Sequence, residues 1–379
     1  MLITHARILT STHVIADGWL HCADGKIATF GDGAPPDMDD AVYDAGGNWL
    51  LPGMIDLHVH GAVGHDTMDA DADGLRAMAR CYAQHGVTGF LATTWTDSRA
   101  RIGAALATIA AHSGRIAGGA TLLGAHLEGP YLNPARCGAQ DSTNIRRADR
   151  EEATAFLDYG IIRLLALAPE YPENEWLIEA CVQRSITVSA AHTDATYAQM
   201  QRAVALGVTQ TTHTFNAMRP LHHREPGTLG AALTLPELRC ELIADNVHVH
   251  PAAQALLWAA KGRDRVILIS DAVRAAGMAP DSRYLQDGRE TVVRDAAYLA
   301  DGTLAGSSST LDTMVAKFMA ATGAALPDVW HCVSRNPARA IGMDDRKGSI
   351  AIGMDADLIV MDDALTVQAT IIAGESVTL

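Results

Sequence analysis

At 379 residues, 48% hydrophobic and 19% charged, the chain is long enough for one large domain with a small companion, and its composition excludes a disordered or low-complexity protein. No apolar stretch approaches the roughly 18 residues of a membrane span, and Met1 to Asp17 lacks the basic start and apolar run of a secretory leader. The net charge of −15 argues against nucleic acid as a partner, and six cysteines without a CxxC pair read as reduced thiols in a cytoplasmic protein.

In chain order, the first fifty residues alternate short apolar runs with turn signals, and Asp24-Gly25 between two such runs predicts a hairpin. From Met54 onward the style changes. Apolar strands are expected at 54–60, 88–93, 121–127, 162–167, 186–191, 208–214, 240–244 and 265–270. Ala-rich helical stretches separate them, at Asp73-Gln84, Ala100-His112, Arg150-Tyr159, Asn174-Arg184, Tyr197-Leu206 and Pro251-Lys261. Eight strand–helix units over this span are the arithmetic of a (β/α)8 TIM-type barrel. Segment 282–303 breaks the rhythm and reads as an inserted hairpin. The C-terminus returns to β character in Asp357-Met361 and Val367-Ile372. Residues 1–50 with 345–379 are therefore expected to form a small β-sandwich domain beside a barrel spanning 51–344.

Polar residues fall where the strands end, which is where such barrels carry chemistry. His58 and His60 close the first strand, and residues i and i+2 of a strand share a face, so both imidazoles suit one metal ion. Glu128 ends strand three, His192 strand five, His213 strand six and Asp271 strand eight. One such residue is explained as a cap for the helix that follows. Five strands delivering four imidazoles and two carboxylates to one rim point to a divalent metal site. Imidazole and carboxylate donors suit zinc, iron or a similar ion without choosing among them. Glu128 is placed to bridge two ions, one on His58 and His60 and one on His192 and His213.

These residues, together with Leu51-Pro-Gly-Met-Ile-Asp56, His126-Leu-Glu-Gly-Pro130, His213-Thr-Phe-Asn-Ala-Met218, Arg224-Glu-Pro-Gly227, His248-Val-His250 and Leu304-Ala-Gly-Ser-Ser308, resemble the amidohydrolase superfamily and, within it, the N-acetylglucosamine-6-phosphate deacetylase family. The resemblance runs over almost the whole chain. It implies one or two metal ions per chain, the principal one held by Glu128, His192 and His213, with Asp271 as the catalytic acid–base. It implies substrate contacts from Asn216, Ala217 and His248, from Leu304, Ala305 and Gly306, and from the loop carrying Ala139 and Gln140. It also implies a homodimer in which Arg224 reaches the neighbouring active site to bind the sugar phosphate. Related barrel hydrolases often bridge their ions with a carbamylated lysine, but Lys26, Lys261, Lys317 and Lys347 all lie away from a suitable strand end. One departure bears on the substrate: the family's Gly-Ala-His is here Gly138-Ala139-Gln140, and glutamine carries no charge near neutral pH. The expected reaction is hydrolysis of the acetamide of N-acetylglucosamine 6-phosphate. N-acetylgalactosamine 6-phosphate, another N-acylated substrate or a non-catalytic binding role are the alternatives.

Overall fold

Near-continuous apolar runs such as Met54–Val59 and Val87–Thr93 are buried at every position, as strands covered on both faces must be. In the computed structural model, which describes residues 1–37, 39–286 and 288–377, they are the first two of eight parallel barrel strands. The others are Thr121–Glu128, Ile162–Leu167, Thr187–Ala190, Val208–Thr211, Arg239–Leu242 and Val266–Leu268, paired in chain order. The circle closes where the Asp271 amide donates to the His58 carbonyl and the His60 amide to that of Ala272, at 2.9 and 2.8 Å. One continuous apolar cluster fills the barrel and the layer beneath its helices.

Several outer helices begin at side-chain caps. Asp71 caps Ala72–Gln84, Ser98 caps Arg99–His112, and Thr196 with Gln199 forms a capping box on Tyr197–Leu206. Among the helices that the sequence does not announce are two of the barrel's outer layer. Gly227–Thr234 contains two glycines, residues that lower helix propensity, and its Gly230 is required because an added Cβ would lie 2.2 Å from that of Pro226. Leu311–Thr322 follows the segment that breaks the barrel's rhythm. That segment is larger than a hairpin: Arg283–Gln286, Arg289–Val293 and Ala297–Leu299 make a three-stranded antiparallel sheet.

The chain ends share a second sheet of eight strands, five from residues 2–52 and three from 358–377. It is continuous in its hydrogen bonding, and Ile3, Leu20, Ile27, Leu50, Leu358 and Ile371 from its different strands meet in a single core. The expected turn is present, with Asp24 and Gly25 at φ 51° and 74°, the left-handed pair that a two-residue hairpin loop needs. Buried Lys347 pairs with Asp357, just before the strand Leu358–Met361, and, at 2.9 Å, with Asp355.

Candidate metal centre

Strand geometry alone does not aim the side chains at the rim. The fifth, sixth and eighth strands stop at Ala190, Thr211 and Leu268, earlier than the sequence suggests, so His192, His213 and Asp271 lie just beyond them. All three adopt left-handed backbone, at φ 43°, 30° and 48°. Each such residue costs about 1–3 kcal/mol, a strain that persists where surrounding structure fixes it and that clusters at functional sites.

Two trios result, His58 with His60 and Asp271, and Glu128 with His192 and His213. Glu128 serves both. Its Oε1 lies 3.3 and 3.1 Å from the Nε2 atoms of His192 and His213, and its Oε2 lies 3.6 and 3.2 Å from those of His58 and His60. Asp271 Oδ1 stands 3.4 Å from both His58 Nε2 and His60 Nε2. The paired imidazole nitrogens approach to 3.2 Å in one trio and 3.1 Å in the other. Two nitrogens bound tetrahedrally to one ion at about 2.0–2.1 Å would lie about 3.3 Å apart, so both trios fit a divalent metal.

Outer contacts turn the right nitrogens inward. His192 Nδ1 lies 2.9 Å from the Arg136 carbonyl and His58 Nδ1 lies 3.4 Å from Glu241 Oε2, leaving each Nε2 free as a ligand. Glu241 is fully buried and also accepts from Gln210 Nε2 at 2.6 Å. The sequence reading missed it. Its signal was a lone carboxylate inside the buried strand Arg239–Leu242.

Without an ion these groups stabilise each other's charges. Burial disfavours a charged His60, but hydrogen bonds to Asp271 and Glu128 outweigh it and lift the imidazole to about 9. His58 is likewise lifted against burial by the charges of Glu128 and Asp271. Burial would raise Glu128 and Asp271, yet the His58 charge and neighbouring imidazoles hold both carboxyls low.

Above the trios opens a cavity of about 210 Å³. Its wall includes Glu128, His60, His192, His213 and Asp271, and every expected substrate contact except Arg224: Ala139, Gln140, Asn216, Ala217, His248, Leu304, Ala305 and Gly306. Trp95, which the sequence reading did not single out, lines it as well and stacks on the His60 ring at 4.0 Å. His58 lies beneath, fully buried. Buried Asp245 bonds His248 Nδ1 at 2.6 Å and, against the effect of burial, raises that imidazole above its ordinary value. Arg224 is elsewhere, exposed on the loop before Gly227–Thr234, where its guanidinium meets His223. His250 is the N-cap of Pro251–Lys261, its Nδ1 accepting from the Ala252 amide.

The profile of the amidohydrolase family matches residues 49–377 of the chain. An N-acetylglucosamine-6-phosphate deacetylase of Bacillus subtilis is 39% identical, covering 99% of this chain and 96% of its own. An N-acetylgalactosamine-6-phosphate deacetylase of Escherichia coli O157:H7 is 37% identical, covering 97% of both chains. Among solved structures, N-acetyl-D-glucosamine-6-phosphate deacetylase of Mycobacterium smegmatis superposes with a TM-score of 0.92 at 34% identity over 100% of both chains. A mutant of that enzyme, in complex with N-acetyl-D-glucosamine-6-phosphate, gives 0.91, also at 34% identity, over 100% of this chain and 99% of its own.

Proposed function

This chain belongs to the amidohydrolase family, and on that premise we propose that it hydrolyses N-acetylglucosamine 6-phosphate to glucosamine 6-phosphate and acetate. The observation that carries the reading is Glu128, whose two oxygens face two separate histidine pairs at the floor of the cavity. His192, His213 and Glu128 would hold the principal ion, and His58, His60 and Asp271, with Glu128, a second. Zinc and iron suit these donors. A divalent ion here supplies Lewis acidity, acidifying water and polarising the acetyl carbonyl.

The chain's own groups do the rest. Asp271 takes a proton from the attacking water and returns it to the amine nitrogen as the C–N bond breaks. An amide nitrogen leaves poorly as an anion, so one carboxylate that accepts and then delivers a proton serves both halves of the reaction. His248, held through Nδ1 by Asp245, whose carboxylate raises the imidazole above its ordinary value, faces the sugar or its acyl oxygen. The walls at Asn216, Ala217 and Leu304 to Gly306 enclose the sugar. A second reading, the galactosamine epimer, draws support from the Escherichia coli O157:H7 relative and from Gln140.

The phosphate needs a cation, and among the described residues the cavity wall carries neither arginine nor lysine. We assign this contact to Arg224 of a second copy in a homodimer, in a cytoplasmic enzyme. Truncating one partner of a hydrogen-bonded charge pair costs about 2–5 kcal/mol. Arg224→Ala should therefore lower kcat/KM on the phosphorylated sugar about thirtyfold or more, chiefly through KM, while the weak hydrolysis of the unphosphorylated sugar stays the same. Equal turnover of both sugars by the parent would remove the phosphate from the reading. Side-by-side kcat/KM on the gluco and galacto 6-phosphates decides the epimer.

A further inference from the structure

The departure at Gln140 has a structural counterpart. Its side chain is 4% exposed and is held at both ends. The Thr96 amide, which can only donate, lies 2.8 Å from one end, so that end is the carbonyl oxygen Oε1. The amide nitrogen is thereby committed to the other side, where it donates to Glu128 Oε2 at 2.7 Å. The backbone of the loop is pinned as well, by Gln140 N to the Cys137 carbonyl at 3.0 Å and by Arg289 to the Ala139 carbonyl at 2.7 Å.

Oε2 is the oxygen that faces His58 and His60. Among the described residues, Gln140 supplies the hydrogen bond that reaches the Glu128 carboxylate from outside the histidines. Rotation of the carboxylate about its Cγ–Cδ bond would take Oε2 away from His58 and His60, which it faces at 3.6 and 3.2 Å, and the Gln140 amide is a further anchor that fixes the carboxylate plane against that rotation. A neutral amide prevents that rotation without adding positive charge beside a second cation, as a protonated imidazole would.

We propose that Gln140 is a positioning residue that holds Glu128 in its bridging orientation, and so sets the affinity of the ion site formed by His58, His60 and Asp271. The inference rests on the metal reading given above. Outer-shell partners of metal ligands typically change affinity about 10–100-fold when removed.

The test is a zinc titration of the metal-free full chain, followed by calorimetry and by metal content after gel filtration. Gln140→Leu and Gln140→Met remove the donor at similar volume, and whichever retains the parent's circular dichroism and melting is read. The expected result is two ions on the parent, with the variants binding the first ion within about twofold and the second about 10–100-fold more weakly. A merely structural role would weaken both ions together or neither. Either of those outcomes overturns the inference, as does a parent that binds only one ion. A parent that binds none overturns the metal reading itself.

Discussion

In the proposed mechanism Asp271 performs two proton transfers that asparagine cannot, although the amide has the same shape. Removing a general acid–base typically costs about 10²–10⁴-fold, so Asp271→Asn should lower kcat by at least about a hundredfold while the ion on Glu128, His192 and His213 is retained. Activity within about threefold of the parent would remove Asp271 from the mechanism. A second consequence concerns His60. Its imidazole, lifted to about 9 in the ion-free protein, is protonated at pH 7, and a metal ligand must be deprotonated. Loading zinc at pH 7 should therefore release protons, and apparent affinity should rise as pH approaches 9. Calorimetry in buffers of different ionisation enthalpy reads the protons directly; a binding heat independent of buffer would contradict the assignment. At this scale the sequence pointed to the histidines and carboxylates that gather at the rim and said little about what orients them. His58, His60, Glu128, His192, His213 and Asp271 each stand at or near a strand end, a position visible in the pattern of apolar runs. Glu241 and Asp245 act through contacts between residues distant in the chain or through a loop's own geometry, and no spacing announces them.

At the scale of elements, the barrel was legible because each parallel strand is a short apolar run set between helical stretches. Its boundaries were less so. Apolar residues continue past the last ladder bond, and it is the left-handed turns at His192, His213 and Asp271, invisible in composition, that end the strands and aim the side chains. The glycine-bearing helix Gly227–Thr234 is held by tertiary packing against its propensity. The junction between the two sheets also depends on a contact far from obvious in sequence. Lys347 is buried with Asp357, whose carbonyl accepts from the Gly53 amide at 2.8 Å and whose Oδ1 accepts from that of Ala373 at 2.9 Å. Removing one partner of a buried pair leaves an uncompensated charge and costs about 3–5 kcal/mol. Lys347→Met should lower unfolding free energy by about that amount in denaturant titration of the metal-free protein. A change below about 0.5 kcal/mol would show that Asp357 is satisfied without the lysine.

For the whole molecule, the arrangement is a barrel that brings histidines and carboxylates from residues 58 to 271 onto one floor, with a sheet built from both chain ends alongside. A net charge of −15 gives no general attraction for an anionic sugar, so the proposed function assigns affinity to local groups, His248 and the proposed Arg224 contact. Through the rim residues and their resemblance to a family, the sequence pointed to the floor where those histidines and carboxylates meet. The continuity of the terminal sheet remained hidden because strand pairing between chain ends is set by packing. The central claim is that ions on the Glu128-centred cluster are required for acetamide hydrolysis. It is tested most directly by acetate release from N-acetylglucosamine 6-phosphate, using protein stripped by a chelator and then titrated with zinc or ferrous iron. The account predicts a loss of at least about a hundredfold on stripping, with activity restored in proportion to metal up to two ions per chain, as expected when Lewis acidity is essential. Full activity in protein shown by elemental analysis to be free of metal would contradict it.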